Sequence, residues 1–70
     1  MNFTYESIKQ LTEGEEFPVF FQSQNGEFGH IRAGHDGESS YYIVKIAQDN
    51  GWLRVKTYYD DGTVTEEYER

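Results

Sequence analysis

Tyr41-Tyr42-Ile43-Val44-Lys45-Ile46-Ala47 runs into a turn at Asn50-Gly51, and Trp52-Leu53-Arg54-Val55-Lys56-Thr57-Tyr58-Tyr59 runs into a second turn at Asp61-Gly62. Thr63-Val64-Thr65-Glu66-Glu67-Tyr68 follows. β-Branched and aromatic runs parted by Asn-Gly and Asp-Gly are the strongest short-range hairpin signal a sequence offers. The stretch predicts a three-stranded antiparallel meander, and the rest of the chain supplies what that meander needs to bury one face.

Two-residue loops at both turns set a definite register. Around Asp61-Gly62, Tyr59 faces Val64, Val55 faces Tyr68, Lys56 faces Glu67 and Arg54 faces Glu69. Around Asn50-Gly51, Ile46 faces Val55, Tyr42 faces Tyr59, Ile43 faces Tyr58, and Lys45 meets Lys56. Directly opposed apolar or opposite-charge pairs contribute about 0.2–1 kcal/mol each, so this register has support on both faces apart from the lysine pair. It predicts a core face of Tyr42, Val44, Ile46, Leu53, Val55, Tyr59, Val64 and Tyr68. The opposite face then carries Tyr41, Ile43, Lys45, Trp52, Arg54, Lys56 and Tyr58.

Upstream, the segment Asn2 to Glu13 carries a short helix, about residues 4–13. Thr4 suits the N-cap, Glu6 the positive end of the helix dipole, and Gly14 the stop. Tyr5, Ile8 and Leu11 form an apolar stripe at helical spacing. A helix this short is unstable alone and must dock on the sheet. Phe17-Pro18-Val19-Phe20-Phe21-Gln22 reads as a strand whose proline confines it to an edge or a strand start. Asn25-Gly26 returns it as a hairpin, with Phe20 facing Ile31, Phe21 facing His30 and Val19 facing Arg32. Gly34 to Ser40 is a polar loop.

The expected fold is α+β and mostly β: one domain, residues 1–70, with a short N-terminal helix and a five-stranded antiparallel meander. The strands fall at about 17–23, 27–33, 41–48, 52–59 and 63–69. Sequential hairpins over this length suggest a strongly bent sheet or a small SH3-like or OB-like barrel, with an open sheet crossed by the helix as the alternative.

Composition narrows the function. Thirteen acidic against six basic residues leave a net charge of -7, a field that repels nucleic acid and anionic membranes and attracts basic surfaces. Hydrophobic residues are only 36% but aromatics are 17%, enough large rings for a small core. Cysteine is absent, which suits a reducing compartment. No apolar run approaches the roughly 20 residues of a membrane span, and Met1-Asn2-Phe3-Thr4-Tyr5-Glu6 has no signal-peptide character. A cytoplasmic protein is expected, in the host cell if a phage encodes it.

Few residues point to chemistry. His30, His35, Asp36 and Glu38 offer imidazole and carboxylate, but at no structural zinc spacing, so no metal and no cofactor are expected. Asp60-Asp61-Gly62-Thr63 lacks the spacing of a calcium loop. Ser7, Ser23, Ser39 and Ser40 stand in no nucleophile context. Acid–base work needs a pocket that shifts a pKa, which so small a domain rarely encloses. No catalytic residue and no enzyme activity are expected.

Two binding surfaces remain. Tyr41, Trp52, Arg54, Lys56 and Tyr58 interleave aromatic and basic residues on one predicted face, an arrangement able to stack bases and neutralise phosphates. Val19 to Ile31 also resembles the first hairpin of cold-shock domains, whose Phe-Gly-Phe-(Ile/Val) motif corresponds to Phe28-Gly29-His30-Ile31. That resemblance implies a small β-barrel that stacks single-stranded nucleic acid on Phe28, His30, Trp52 and Tyr58. His30 replaces an aromatic, and Gly26-Glu27 stand where the family has lysine and glycine.

The second surface is acidic. Glu13, Glu15 and Glu16 follow the helix, Asp36 and Glu38 sit in the polar loop, and Asp60, Asp61, Glu66, Glu67 and Glu69 crowd the last hairpin. Carboxylates spaced on a rigid scaffold imitate a phosphate backbone. In size, charge and aromatic content the chain is similar to small acidic viral and mobile-element inhibitors of nucleic-acid enzymes. The expectation is a non-enzymatic inhibitor or adaptor, monomeric or homodimeric, on a basic surface of a nucleic-acid-processing protein. A self-associating structural domain is a further possibility.

Overall fold

The computed structural model describes residues 3–70. Its elements are a helix, α1 (Tyr5–Leu11), and five strands, β1 (Val19–Gln22), β2 (Phe28–His35), β3 (Ser40–Ala47), β4 (Leu53–Tyr59) and β5 (Val64–Glu69). The strands form one antiparallel sheet in chain order, β1-β2-β3-β4-β5. Among the described residues no strand pairs with the outer edge of β1 or β5, so the predicted barrel does not close and the open sheet crossed by a helix is the architecture. Among the described residues, no helix is long and apolar enough to cross a membrane.

Three of the four hairpins, all but β2–β3, share one turn. Ser23, Gln48 and Tyr59 each donate their N–H to the carbonyl four residues on, at Glu27, Trp52 and Thr63. Gly26, Gly51 and Gly62 donate back to those same three residues, and their φ angles are 89°, 85° and 93°. This is a three-residue loop that closes on a left-handed glycine, in place of the two-residue loop predicted from Asn-Gly and Asp-Gly. Asn50 and Asp61 stabilise it by accepting the N–H of Trp52 and Thr63 two residues later, at 3.0 and 2.8 Å.

The extra loop residue slips each of these three hairpins by one position. Tyr42 pairs with Tyr58, Val44 with Lys56 and Ile46 with Arg54, while Tyr58 pairs with Val64 and Lys56 with Glu66. Lys45 meets Val55, which removes the predicted lysine–lysine contact. Val19 pairs with Ile31 and Phe20 with His30. A one-residue slip sends a strand's side chains to the opposite face. β4 is therefore inverted from its predicted setting: Leu53, Val55 and Tyr59 leave the core face, and Arg54, Lys56 and Tyr58 enter it. β5 slips at both turns in compensating senses, so Val64 and Tyr68 stay on the same face as Tyr42, Val44 and Ile46.

The core lies where α1 crosses that face. Ile8, Ile31, Val44 and Tyr58 are buried together, with Phe3, Tyr5, Val19, Phe21, Tyr42 and Ile46 packed around them. Phe3 meets Phe21 and Tyr58 edge-on, with ring centroids 5.7 and 6.4 Å apart, and Tyr5 lies 5.1 Å from Tyr42. Full burial of an Ile or Val side chain is worth about 1.5–3 kcal/mol, so a few such residues carry the fold. Gly29 makes room for this packing, because a Cβ there would lie 2.6 Å from the Phe21 ring and 2.8 Å from the Lys45 carbonyl.

Thr4 caps α1 as expected, and Ser7 completes a capping box: each side chain accepts the other residue's N–H. Asn2 lies outside the described residues. The helix ends at Leu11, short of the expected Glu13. Leu11 is 56% exposed, and Thr12 is buried in its place, its hydroxyl donating to the Ile8 carbonyl at 2.8 Å. The helical period explains the exchange. At 3.6 residues per turn, Tyr5, Ile8 and Thr12 fall within about 60° of one another, and Leu11 lies about 60° beyond Ile8.

Candidate partner-binding surface

The sheet has one face under α1 and one face over which, among the described residues, no layer lies. Pairing places Phe20, Phe28, His30, Arg32, Tyr41, Ile43, Lys45, Leu53, Val55, Thr57 and Tyr59 on the open face, with Glu67 and Glu69 at its β5 side. Phe20 and Phe28 are 75% and 67% exposed. The Phe20 and His30 rings pair across the strands at 5.9 Å, and Tyr41 and Tyr59 do so at 5.6 Å. Tyr41 also covers Gly34, where a Cβ would collide with its ring.

Val55 is only 7% exposed although it stands on the open face. Its cover is an ion pair. Lys45 Nζ on β3 reaches Glu69 Oε1 on β5 at 3.0 Å, and so crosses the intervening β4 beside Val55. The lysine stem supplies apolar cover and the bridge holds it in place. A partly exposed bridge adds only about 0.2–1 kcal/mol by itself, so its main effect is to position the stem.

The predicted aromatic and basic face is not assembled. Tyr41 stands on the open face, whereas Arg54, Lys56 and Tyr58 stand on the helix face. Tyr58 is core, and burial raises its hydroxyl pKa, with Glu66 adding to the rise and Arg54 opposing it. Arg54 and Lys56 converge on Glu66 Oε1 at 3.3 and 3.7 Å, and the Tyr68 hydroxyl donates to Glu66 Oε2 at 3.3 Å. These side chains flank the helix on its own face of the sheet. Trp52 sits beside the Asn50-Gly51 turn with the Arg70 guanidinium 5.3 Å over its ring. Phe28 and His30 share the open face, but Trp52 and Tyr58 do not join them as a stacking set.

The ten acidic residues singled out in the sequence fall into two groups. Asp60 accepts the Ser40 N–H through Oδ2 and donates its own N–H to the Ser40 carbonyl, both at 3.0 Å. This ties the β2–β3 turn, with Asp36 and Glu38, to the β4–β5 turn, with Asp60 and Asp61. Strand alternation brings the chain into β1 at this same end, so Glu13, Glu15 and Glu16 lead in there too. Glu66, Glu67 and Glu69 line β5, Glu66 on the helix face and the other two on the open face. The Asp61 carboxyl titrates below its ordinary value because it accepts the Thr63 backbone N–H, with the Thr63 side chain a further cause.

Partial burial, then Arg32, then Lys45, pushes the His30 pKa below its ordinary 6.5, so its ring favours the neutral form beside these cations. His35 points to the other face, its Nδ1 3.1 Å from Ser40 Oγ. Among the described residues, no group of three or more His, Cys, Asp or Glu side chains is arranged to hold a metal ion. The largest hollows are shallow. One of about 370 Å³ lies between Phe3, Phe21, Ile46 and Arg54 and the polar turn Ser23 to Glu27.

Sequence reasoning missed Phe20, Leu53 and Tyr59 as members of the open face, and placed Ile43 there correctly. The signal was present: each turn offers Xaa-Asn-Gly or Xaa-Asp-Gly, which also fits a three-residue loop, and that choice reverses the parity of the next strand. Comparison of the sequence with protein-family models gives no match, and comparisons with curated proteins and with solved structures give none either.

Proposed function

We propose that the chain is a small non-enzymatic binding protein, an inhibitor or adaptor, that engages a basic surface of a nucleic-acid-processing protein. The observation that carries this reading is the internal pairing of charge. Glu66 and Glu69 together hold Lys45, Arg54 and Lys56, half of the six cations in the chain. Among the described residues, the other carboxylates have no Lys, Arg or His nitrogen within 4 Å. The field outside the molecule is thus the field of its unpaired acids, which steers a basic partner and repels phosphate. The nucleic-acid mimic of phage or mobile-element type remains one form of this reading, and its support is the excess of acid over base.

A second reading rests on Phe20, Phe28 and His30, three rings on one uncovered face with Arg32 and Lys45 nearby. Exposed rings stack bases, yet phosphate contacts supply most nucleic-acid affinity, and Lys45 is already bound to Glu69. One experiment separates the two. The protein is titrated in parallel with an oligolysine peptide and a single-stranded oligonucleotide, at low and at physiological salt. The acidic reading expects peptide binding that weakens with salt and no oligonucleotide binding at physiological salt. Oligonucleotide binding of about micromolar strength, lost in Phe28→Ala, reverses the order of the two readings.

A further inference from the structure

We propose that the outer edge of β5 takes up an extended basic segment of the partner as a sixth antiparallel strand. The inference rests on the basic-partner reading above and adds the mode of engagement. β5 pairs with β4 on one side, and no described strand lies on the other. The Tyr59 N–H donates to the Thr63 carbonyl across the turn. Alternation from that bond turns the backbone groups of Thr65, Glu67 and Glu69 toward β4 and those of Val64, Glu66 and Tyr68 outward. Outward N–H and C=O groups at three alternate residues form a half-ladder, the template on which strand addition works. The opposite edge offers less, because β1 has four residues and follows Pro18, which has no N–H to give.

Charge selects the occupant. A second copy laid antiparallel along the same edge must set outward residues against outward residues, so with Val64 opposite Tyr68 it sets Glu66 opposite its own counterpart, and like charges directly opposed destabilise a strand pair. A segment alternating basic and apolar residues reverses the sign. Its cations stand opposite Glu67 and Glu69 on the open face, where Glu67 has no cation within 4 Å among the described residues. Its apolar residues stand on the other face, beside the half-exposed Val64 and Tyr68.

The test uses the full chain and a blocked peptide alternating Lys and Val, read by anisotropy. Two controls of equal charge carry N-methyl groups, one on every Val amide and one on every Lys amide. Val amides in the proposed register donate to β5, and Lys amides point away. The N-methyl-Val peptide should bind at least about tenfold more weakly than the parent, and the N-methyl-Lys peptide about as well. Amide exchange at Val64, Glu66 and Tyr68 should slow in the complex. Equal binding of all three peptides overturns strand addition and leaves the basic-partner reading standing. No binding by any of them overturns both. A solution dimer with those three amides protected before peptide is added makes a second copy the occupant and also overturns the proposal.

Discussion

Truncation of Ile8 tests whether one side chain anchors the helix to the sheet. Ile8 has no solvent exposure and packs against Ile31, Val44 and Tyr58. Ile8→Val removes one methylene, which in a packed core costs about 0.5–1.5 kcal/mol, whereas Ile8→Ala removes three carbons and costs about 2–5 kcal/mol. A single core in a chain this short rarely supplies more than about 3–5 kcal/mol of net stability. Ile8→Ala therefore takes most of what is there. In a domain of this size, about 1 kcal/mol moves the melting temperature by roughly 4–8 °C. Ile8→Val should fall by that order, and Ile8→Ala should populate unfolded chain at room temperature. Leu11→Ala is the control, because Leu11 is 56% exposed and surface changes stay within about 0.5 kcal/mol. Thermal and urea melts followed by circular dichroism measure all three. A wild-type midpoint for Ile8→Ala, or a larger loss in Leu11→Ala, would refute the docking of α1 through Ile8.

Two further outcomes follow from the turns and from His30. Gly51→Val and Gly62→Val should each cost about 1–2 kcal/mol, since both positions have positive φ, and unchanged melts in both would mean the turns are misassigned. His30 has a folded-state pKa below its ordinary value, so under about pH 6.5 the unfolded chain binds the proton that the folded chain resists. Stability from this group is whole at higher pH and is lost as pH falls through that value. The loss is small because water screens a partly exposed ring. Comparing wild type with His30→Gln at about pH 7.5 and pH 5.5 isolates it, and an identical acid-side loss in both would remove His30 as its source.

Most of the architecture was legible because it is written locally. Asn25-Gly26, Asn50-Gly51 and Asp61-Gly62 mark chain reversals through the φ they tolerate, and the runs between them carry strand-forming side chains. That determined the number, order and antiparallel sense of the strands. Thr4 likewise marked the start of the helix through a hydrogen bond within one turn. The net charge was legible too, since it is a sum over the chain and does not depend on which face a carboxylate occupies.

What the chain alone left open was parity. A turn of two or three residues uses the same Asn-Gly or Asp-Gly, yet the choice decides which side of the sheet every residue of the next strand faces. Val55 and Tyr58 illustrate it: both are buried, one under the Lys45–Glu69 bridge and the other under Phe3 and Ile8, on opposite faces. Cross-strand pairing scored well in either register, because Lys56 finds Glu66 as readily as Glu67. Only the packing of α1 on Ile31, Val44 and Tyr58 separates the two registers, for burial against a second element rewards one parity and local pairing rewards both. The sequence by itself thus determined the meander and its charge, and the tertiary contact of one short helix decided which face became core and which was left open.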